Sequence, residues 1–299
     1  NKPSVQNLQV LKTFEGHMNA ISALAYHPKK QVLATASDDQ TWKLWSIPNG
    51  ELIMSGEGHL DWVAGVDFNP AGTHLLSASG DGTVKLWDFE RAACSATLTD
   101  HAQPVWGVSW HYSGGFFASC SMDATARLWD VESQKVLQTF RGHVDSVNAV
   151  RFQPFSSNVC TASGDKTVSM WDARSGLCVQ TFFGHTNACN SLALNLQGDI
   201  IASCDADGIV RVWDVRMVKE LTSFEGGAHA LNDVAFHRSG KILAAASDDG
   251  IVRMFDLDRN ETVSQIKAHE DAVQAVVFDP NSKYFVSAAS DKTFRVYNI

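Results

Sequence analysis

Apolar runs in this 299-residue sequence are no longer than a strand, as in Ala275–Phe278. A bilayer-spanning helix needs about 20 apolar residues, so none is expected. No secretory leader is visible and residue 1 is Asn rather than Met. The expectation is therefore that residue 1 is an internal boundary of a longer protein. The six cysteines include no CxxC pair, which removes zinc-knuckle and dithiol readings. Cys120 and Cys204 share one spacing and Cys94 and Cys178 another, so they read as small strand residues in a reducing compartment. Positive charge is also short: 24 Lys and Arg stand against 33 Asp and Glu, for a net charge of −9. A general nucleic-acid binder needs a basic face to release counterions, and this balance argues against one. It favours partners with basic segments. No phosphate-cradling or dinucleotide fingerprint is present. No helix-length period appears anywhere. The sequon Asn260-Glu261-Thr262 reads as coincidence without a secretory leader.

What the chain does contain is repetition. Gly16-His17, Gly58-His59, Gly142-His143 and Gly184-His185 keep one phase of 42 residues, and Asp100-His101 and Ala268-His269 hold it. One copy departs, with Gly226-Gly227 at the pair and His229 two places on. A second series follows in step: Trp45, Trp87, Trp129, Trp171, Trp213, Phe255 and Tyr297. A third is acidic: Asp39, Asp81, Asp123, Asp165, Asp207, Asp249 and Asp291. Repeats of this length with G-H and W-D marks are the mark of propeller blades. The prediction is an all-β fold: a seven-bladed β-propeller of four-stranded antiparallel blades over residues 8–299, with residues 1–7 as a linker or boundary.

Each copy reads as four short strands between turns. In the second, WVAGVDFNP and HLLSAS give two strands, GDGTVKLWDF a turn and a third, and ACSATLTD the last. Asp81-Gly82, Asp207-Gly208 and Asp249-Gly250 suit two-residue hairpins with both residues at positive φ. The last copy stops after its third strand, while VLKTFEGH before the first matches VLQTFRGH at Val136–His143. Residues 10–14 are therefore expected to complete the final blade and to remove an open edge. Trp110 shares its phase with Tyr26, Phe68, Phe152, Phe236 and Phe278, and Trp42 with Val84, Val168, Val210 and Val252, so both read as core.

Five copies carry a His, a hydroxyl, an Asp and a Trp: His17, Thr35, Asp39, Trp45; His59, Ser77, Asp81, Trp87; His101, Ser119, Asp123, Trp129; His143, Thr161, Asp165, Trp171; and His185, Ser203, Asp207, Trp213. The set invites comparison with a hydrolase triad. A catalytic site does not occur five times at equal spacing, whereas a buried polar chain that fixes loops does. The expectation is no catalytic residue, cofactor or metal. One His per 42 residues spreads ring nitrogens around a circle instead of converging them. His27, His111 and His237 share a further phase and read as strand-end residues.

On these marks the chain resembles the WD-repeat propeller family over residues 8–299. The resemblance implies that the tetrads are structural and that blades six and seven are less rigid. In blade six, Gly227, Ala245 and Phe255 replace the His, hydroxyl and Trp, while blade seven has His269, Ser287, Asp291 and Tyr297. It also implies that partners dock on the narrow top face, three and five places after the His and just before the turn Asp. Those phases nominate Asp38, Trp62, Trp106, Met122, Asn148, Asn190, Asn232 and Asp248. Large apolar residues on neighbouring blades, Trp62, Trp106 and Met122, are the expected anchors. HLDWVAGVDFNPAG, SGDGTVKLWD, DSVNAVRFQPFSS, SGDKTVSMWDARSG and IASCDADG are similar to one branch of the family, the central-pair proteins of motile cilia. That likeness implies a non-catalytic axonemal scaffold with central-pair components and tubulin as partners, no nucleic acid or membrane, and oligomerisation through an N-terminal coiled coil. The alternative is an adaptor that selects cargo, such as a ubiquitin-ligase substrate receptor or a ciliary transport adaptor.

Overall fold

The computed structural model describes residues 5–299. These residues form 28 strands in seven antiparallel sheets of four. Each sheet is one blade, and in six of them the strands follow chain order from the inside outward. Blade one comprises Ile21–Tyr26, Val32–Ser37, Trp42–Ser46 and Glu51–Gly56. The short 3-10 turn Val5–Asn7 is the one helical element among the described residues.

The final sheet joins the two ends of the chain. Strand Gln9–Glu15 pairs antiparallel with Thr293–Asn298, with Phe14 opposite Phe294 and Gln9 opposite Asn298. The two Phe rings stack at 4.9 Å. The closure read from VLKTFEGH is thus the observed one, over a strand slightly longer than residues 10–14. Val5, inside the stretch read as linker, is 2% exposed and packs with Ile242, Phe278 and Tyr297.

Hydrophobic burial is divided among seven clusters, each in a seam between adjacent blades. Blades two and three share Leu76, Val84, Trp110, Phe117 and Trp129. Blades seven and one share Tyr284, Phe294, Phe14, Ile21 and Trp45. Trp42 and Trp110 are core, as their phases implied. Cys120, Cys160, Cys189 and Cys204 are buried in strands and unpaired. His27 closes a strand-end turn: Nδ1 accepts the Lys29 and Lys30 N–H groups, and Nε2 bonds Gly72 O at 3.0 Å.

The Asp-Gly turns need a correction. Ser79 N–H reaches Thr83 O, and Gly82 N–H reaches Ser79 O, so the loop has three residues. Only Gly82 is left-handed, at φ 80°, and Gln40, Ala124, Lys166 and Lys292 take that place in other blades. This is a type I turn followed by a left-handed residue, the three-residue hairpin loop. It leaves the Asp in an ordinary conformation, with its carboxylate free to bond.

Every innermost strand has a register shift after its first residue. The seven skipped residues are Ser22, Ala64, Trp106, Asn148, Asn190, Asn232 and Gln274. A bulge leaves one residue unpaired and re-aims its side chain. All seven line the mouth of the central channel on the top face.

Candidate functional site at the channel mouth

The tetrads form the frame of the top face. In blade one the Trp45 indole donates to Thr35 Oγ1 at 2.9 Å. Thr35 bonds His17 Nε2 at 2.6 Å, and His17 Nδ1 bonds Asp39 at 2.8 Å. Blades two, three and four repeat the chain through Asp81, Asp123 and Asp165. The contacts have triad geometry, yet Thr35, Ser77, Ser119, Thr161 and Ser203 are 0% exposed. A nucleophile sealed from solvent, with its lone pair taken by an indole, reaches no substrate. Burial alone would raise the Asp39 pKa, but bonds from His17, Thr41 and the Met18 N–H pull it well below the usual range. Asp81 and Asp123 follow suit.

Blade five departs from the expected tetrad. His185 Nδ1 bonds Asp205, not Asp207, at 2.6 Å. Asp207 instead accepts Thr186 Oγ1 and Asn187 Nδ2. Asp205 stands where blades one to four carry Ser37, Ser79, Ser121 and Ser163, whose hydroxyls accept the N–H of the turn Asp. Its Oδ1 accepts the Asp207 N–H as those hydroxyls do, and its Oδ2 takes the His. A longer polar side chain at that position intercepts the imidazole before Asp207 can.

In blade six another side chain stands in for a missing one. Arg253 fills the space left by the absent His and bonds Asp249 with both guanidinium nitrogens, at 2.7 and 3.3 Å. A Cβ on Gly227 would stand 2.9 Å from Arg253 Nη2, so glycine is what admits the Arg. Blade seven is complete, with His269 bonding Asp291 at 2.9 Å and Ser287 at 2.8 Å, and Ser287 bonding the Tyr297 hydroxyl at 3.3 Å. Sequence reading missed a fifth member. Thr41, Thr83, Thr125, Thr167 and Thr293 each donate to the turn Asp two places earlier. Blades five and six have Ile209 and Ile251 there, and those are the blades whose acids are rearranged.

Inside this frame the mouth encloses about 480 Å³. Trp62 and Trp106 meet there, stacked with centroids 6.2 Å apart and planes 20° off parallel. Both are half-buried. Trp62 lies over Gly80, where a Cβ would stand 2.3 Å from the ring. The Trp106 indole donates to Ser146 Oγ in the next blade at 2.9 Å. The Trp62 indole N–H, shielded from solvent, has no protein partner. Asp38 lines the mouth, and its pKa is raised by burial and by Asp39 and Asp61 beside it. Below, the channel narrows to about 100 Å³.

The other nominated residues divide. Asn148, Asn190 and Asn232 line the mouth, but each amide donates to the first strand of the next blade, at Cys189 O, Leu231 O and Val273 O. They tie blades together as well as facing the opening. Asp248 is exposed and accepts a second bond from Asn232. Met122 is 43% exposed and lies outside the lining. Among the described residues no three His, Cys, Asp or Glu side chains are grouped as metal ligands would be.

Comparison with known proteins follows the same seven-fold division. The family described as WD domain, G-beta repeat (WD40) matches seven times, over residues 8–46, 50–88, 92–130, 134–172, 176–214, 218–256 and 260–298. The chain is similar to the flagellar WD repeat-containing protein Pf20 of Chlamydomonas reinhardtii, 53% identical over 47 residues. That stretch is 16% of this chain and 8% of the relative. It is also similar to pre-mRNA-processing factor 19 of Bos taurus and of Homo sapiens, 37% identical over 41 residues in each case. Those stretches cover 14% of this chain and 8% of each relative. With seven matches that follow one another along nearly the whole sequence, the chain belongs to the WD40 family, whose propellers are scaffolds for protein interaction.

Proposed function

We propose that the protein is a non-catalytic scaffold of the motile cilium or flagellum, in the central-pair apparatus, and that its top-face mouth holds a partner. The observation that carries the docking half is the stacked Trp62–Trp106 pair. Aromatic anchors that are partly desolvated before binding cost little entropy to fix, which is why such residues dominate interface energetics. Asp38 beside them, and Asp61 near it, favour a partner segment with a Lys or Arg. The axonemal half is supported by the 53% identity to a flagellar protein over 47 residues. Central-pair components, and tubulin among them, are the proposed partners. The test is the position of the tagged full-length protein in motile ciliated cells, together with the effect of its loss. Axonemal signal, and impaired beating in cilia that still assemble, are expected.

A second reading has an observation of its own. The 37% identity to pre-mRNA-processing factor 19 favours an adaptor outside the cilium. Nuclear signal with normal motility after loss would replace the axonemal reading with that one.

A further inference from the structure

The stretch QPFSS, Gln153–Ser157, forms the turn between the first two strands of blade four, on the rim opposite the mouth. Blades two, three, five and six put Gly72, Gly114, Gly198 and Gly240 in the left-handed conformation of this turn. In blade four the left-handed residue falls one place earlier, on Phe155, at φ 57°. A bulky side chain in that region is strained, and such strain clusters at functional sites. No burial offsets it here, because Phe155 is 81% exposed. Its ring lies 6.1 Å from that of Tyr112, itself 55% exposed, on the matching turn of blade three. Blades one, two, four and seven carry Pro at the Tyr112 position.

In the seam between blades three and four is a cavity of about 440 Å³, to which the same two turns contribute His111 and Ser157 rather than the two rings themselves. Phe116, Leu128, Leu137 and Phe152 supply apolar walls, and His111 and Arg174 polar ones. Phe116 and Leu137 are 37% and 51% exposed. Burial lowers the pKa of His111, which disfavours its charged form. Among the described residues Arg174 is the one charged side chain in the lining, and its guanidinium enters none of the protein's ion pairs. An apolar cavity of this size holds a small ligand or one large side chain. A free guanidinium at its edge selects a carboxylate.

We propose that this seam is a second docking site, for an acidic apolar peptide segment of a partner protein. One aromatic or large aliphatic side chain enters the cavity beside the turns that carry Tyr112 and Phe155, and a neighbouring carboxylate pairs with Arg174. The site stands independently of the mouth. Its charge preference is the opposite one, so the two faces select different partners.

The test uses fluorescein-labelled Gly-Glu-Asp-Phe-Glu-Asp-Gly and fluorescence anisotropy with the whole chain. Binding is expected, and about tenfold weaker binding when the acids are replaced by Lys or the Phe by Gly, a difference of about 1.4 kcal/mol. Arg174→Glu should weaken it by a similar factor. Phe155→Gly should weaken binding while raising Tm, because Gly relieves the left-handed strain. That pairing separates a docking residue from a merely structural one. Trp62→Ala with Trp106→Ala should leave this peptide's affinity unchanged. The proposal is overturned by no binding, by equal binding of the Lys peptide, by undiminished binding to Arg174→Glu, or by loss with the Trp pair. It is also overturned if sedimentation shows self-association that Phe155→Gly abolishes, which would make a second copy the occupant.

Discussion

Asp205 does the work of two residues, holding the turn as a Ser does and the imidazole as the turn Asp does elsewhere. Asp205→Ala should therefore cost about 1–3 kcal/mol in urea titrations, the range for stranding a buried polar partner. Asp207→Ala should stay within about 0.5 kcal/mol, as surface substitutions do. Asp249→Ala strands Arg253, which is 8% exposed, so it should cost at least as much as Asp165→Ala. The tetrads were legible because four residue types recur in phase. The exchange in blade five was visible only as Asp in a Ser column of SCDADG. The Arg253 contact was not legible, since six of the seven copies carry Lys or Arg at this place and nothing marks the one that fills a vacated space. The same groups set a pH dependence. Burial lowers the pKa of His27, His237 and His269 from the usual 6.5, so their protonation opposes the fold. Asp39, Asp81, Asp123, Asp165 and Asp291 lie below the usual 3.8, so the folded form binds fewer protons there too. Both shifts make stability fall with pH, first below about 6.5 and then more steeply below about 3.8. Asp67 and Asp233, whose burial raises their pKa values, work the other way in mildly acidic solution, so the decisive comparison is pH 7.5 against pH 3, where the unfolding midpoint should be lower.

Among elements, the strand Gln9–Glu15 has the most to lose by removal. It buries Phe14 at 6% exposure against Phe294 and Trp45, and Val5 before it packs under blade six. Deleting residues 1–14 should lower Tm and promote aggregation by baring the edge of Thr293–Asn298. Phe14→Ala alone should cost about 3–5 kcal/mol in denaturant, with an intact ring at low temperature. An unchanged melting curve for the deletion would contradict this account. Strand order and closure were legible because they follow from alternation and from one sequence match, VLKTFEGH with VLQTFRGH. The bulges at Ser22, Ala64, Trp106, Asn148, Asn190, Asn232 and Gln274 were not, since no residue type marks them. Their common property is position, and the twist of seven inner strands around one axis accounts for it.

At the scale of the whole molecule, the apolar core lies in seams, and the polar devices lie at the two rims. Trp62→Ala with Trp106→Ala should abolish capture of the top-face partner in pull-downs and leave the melting temperature within a few degrees, since neither ring is fully buried. A double variant that still captures the same partners would remove the mouth from consideration. That the two indoles occupy neighbouring blades was legible in their phases. That they stack on each other, and that three asparagines of the same ring are partly spent on ties between blades, required coordinates. The pairing of Gln9 with Asn298 carries a further consequence, for synthesis. The strand Gln9–Glu15, made before every other strand of the ring, must wait unpaired for Thr293–Asn298, the last of the ring's strands to be made. Six blades can fold as they emerge, but the seventh cannot be assembled until translation has passed Asn298. A premature stop or a shifted frame before Asn298 therefore leaves a bared strand edge of the kind that chaperones and proteases act upon. In this way the ring tests its own completeness before it can serve as a platform.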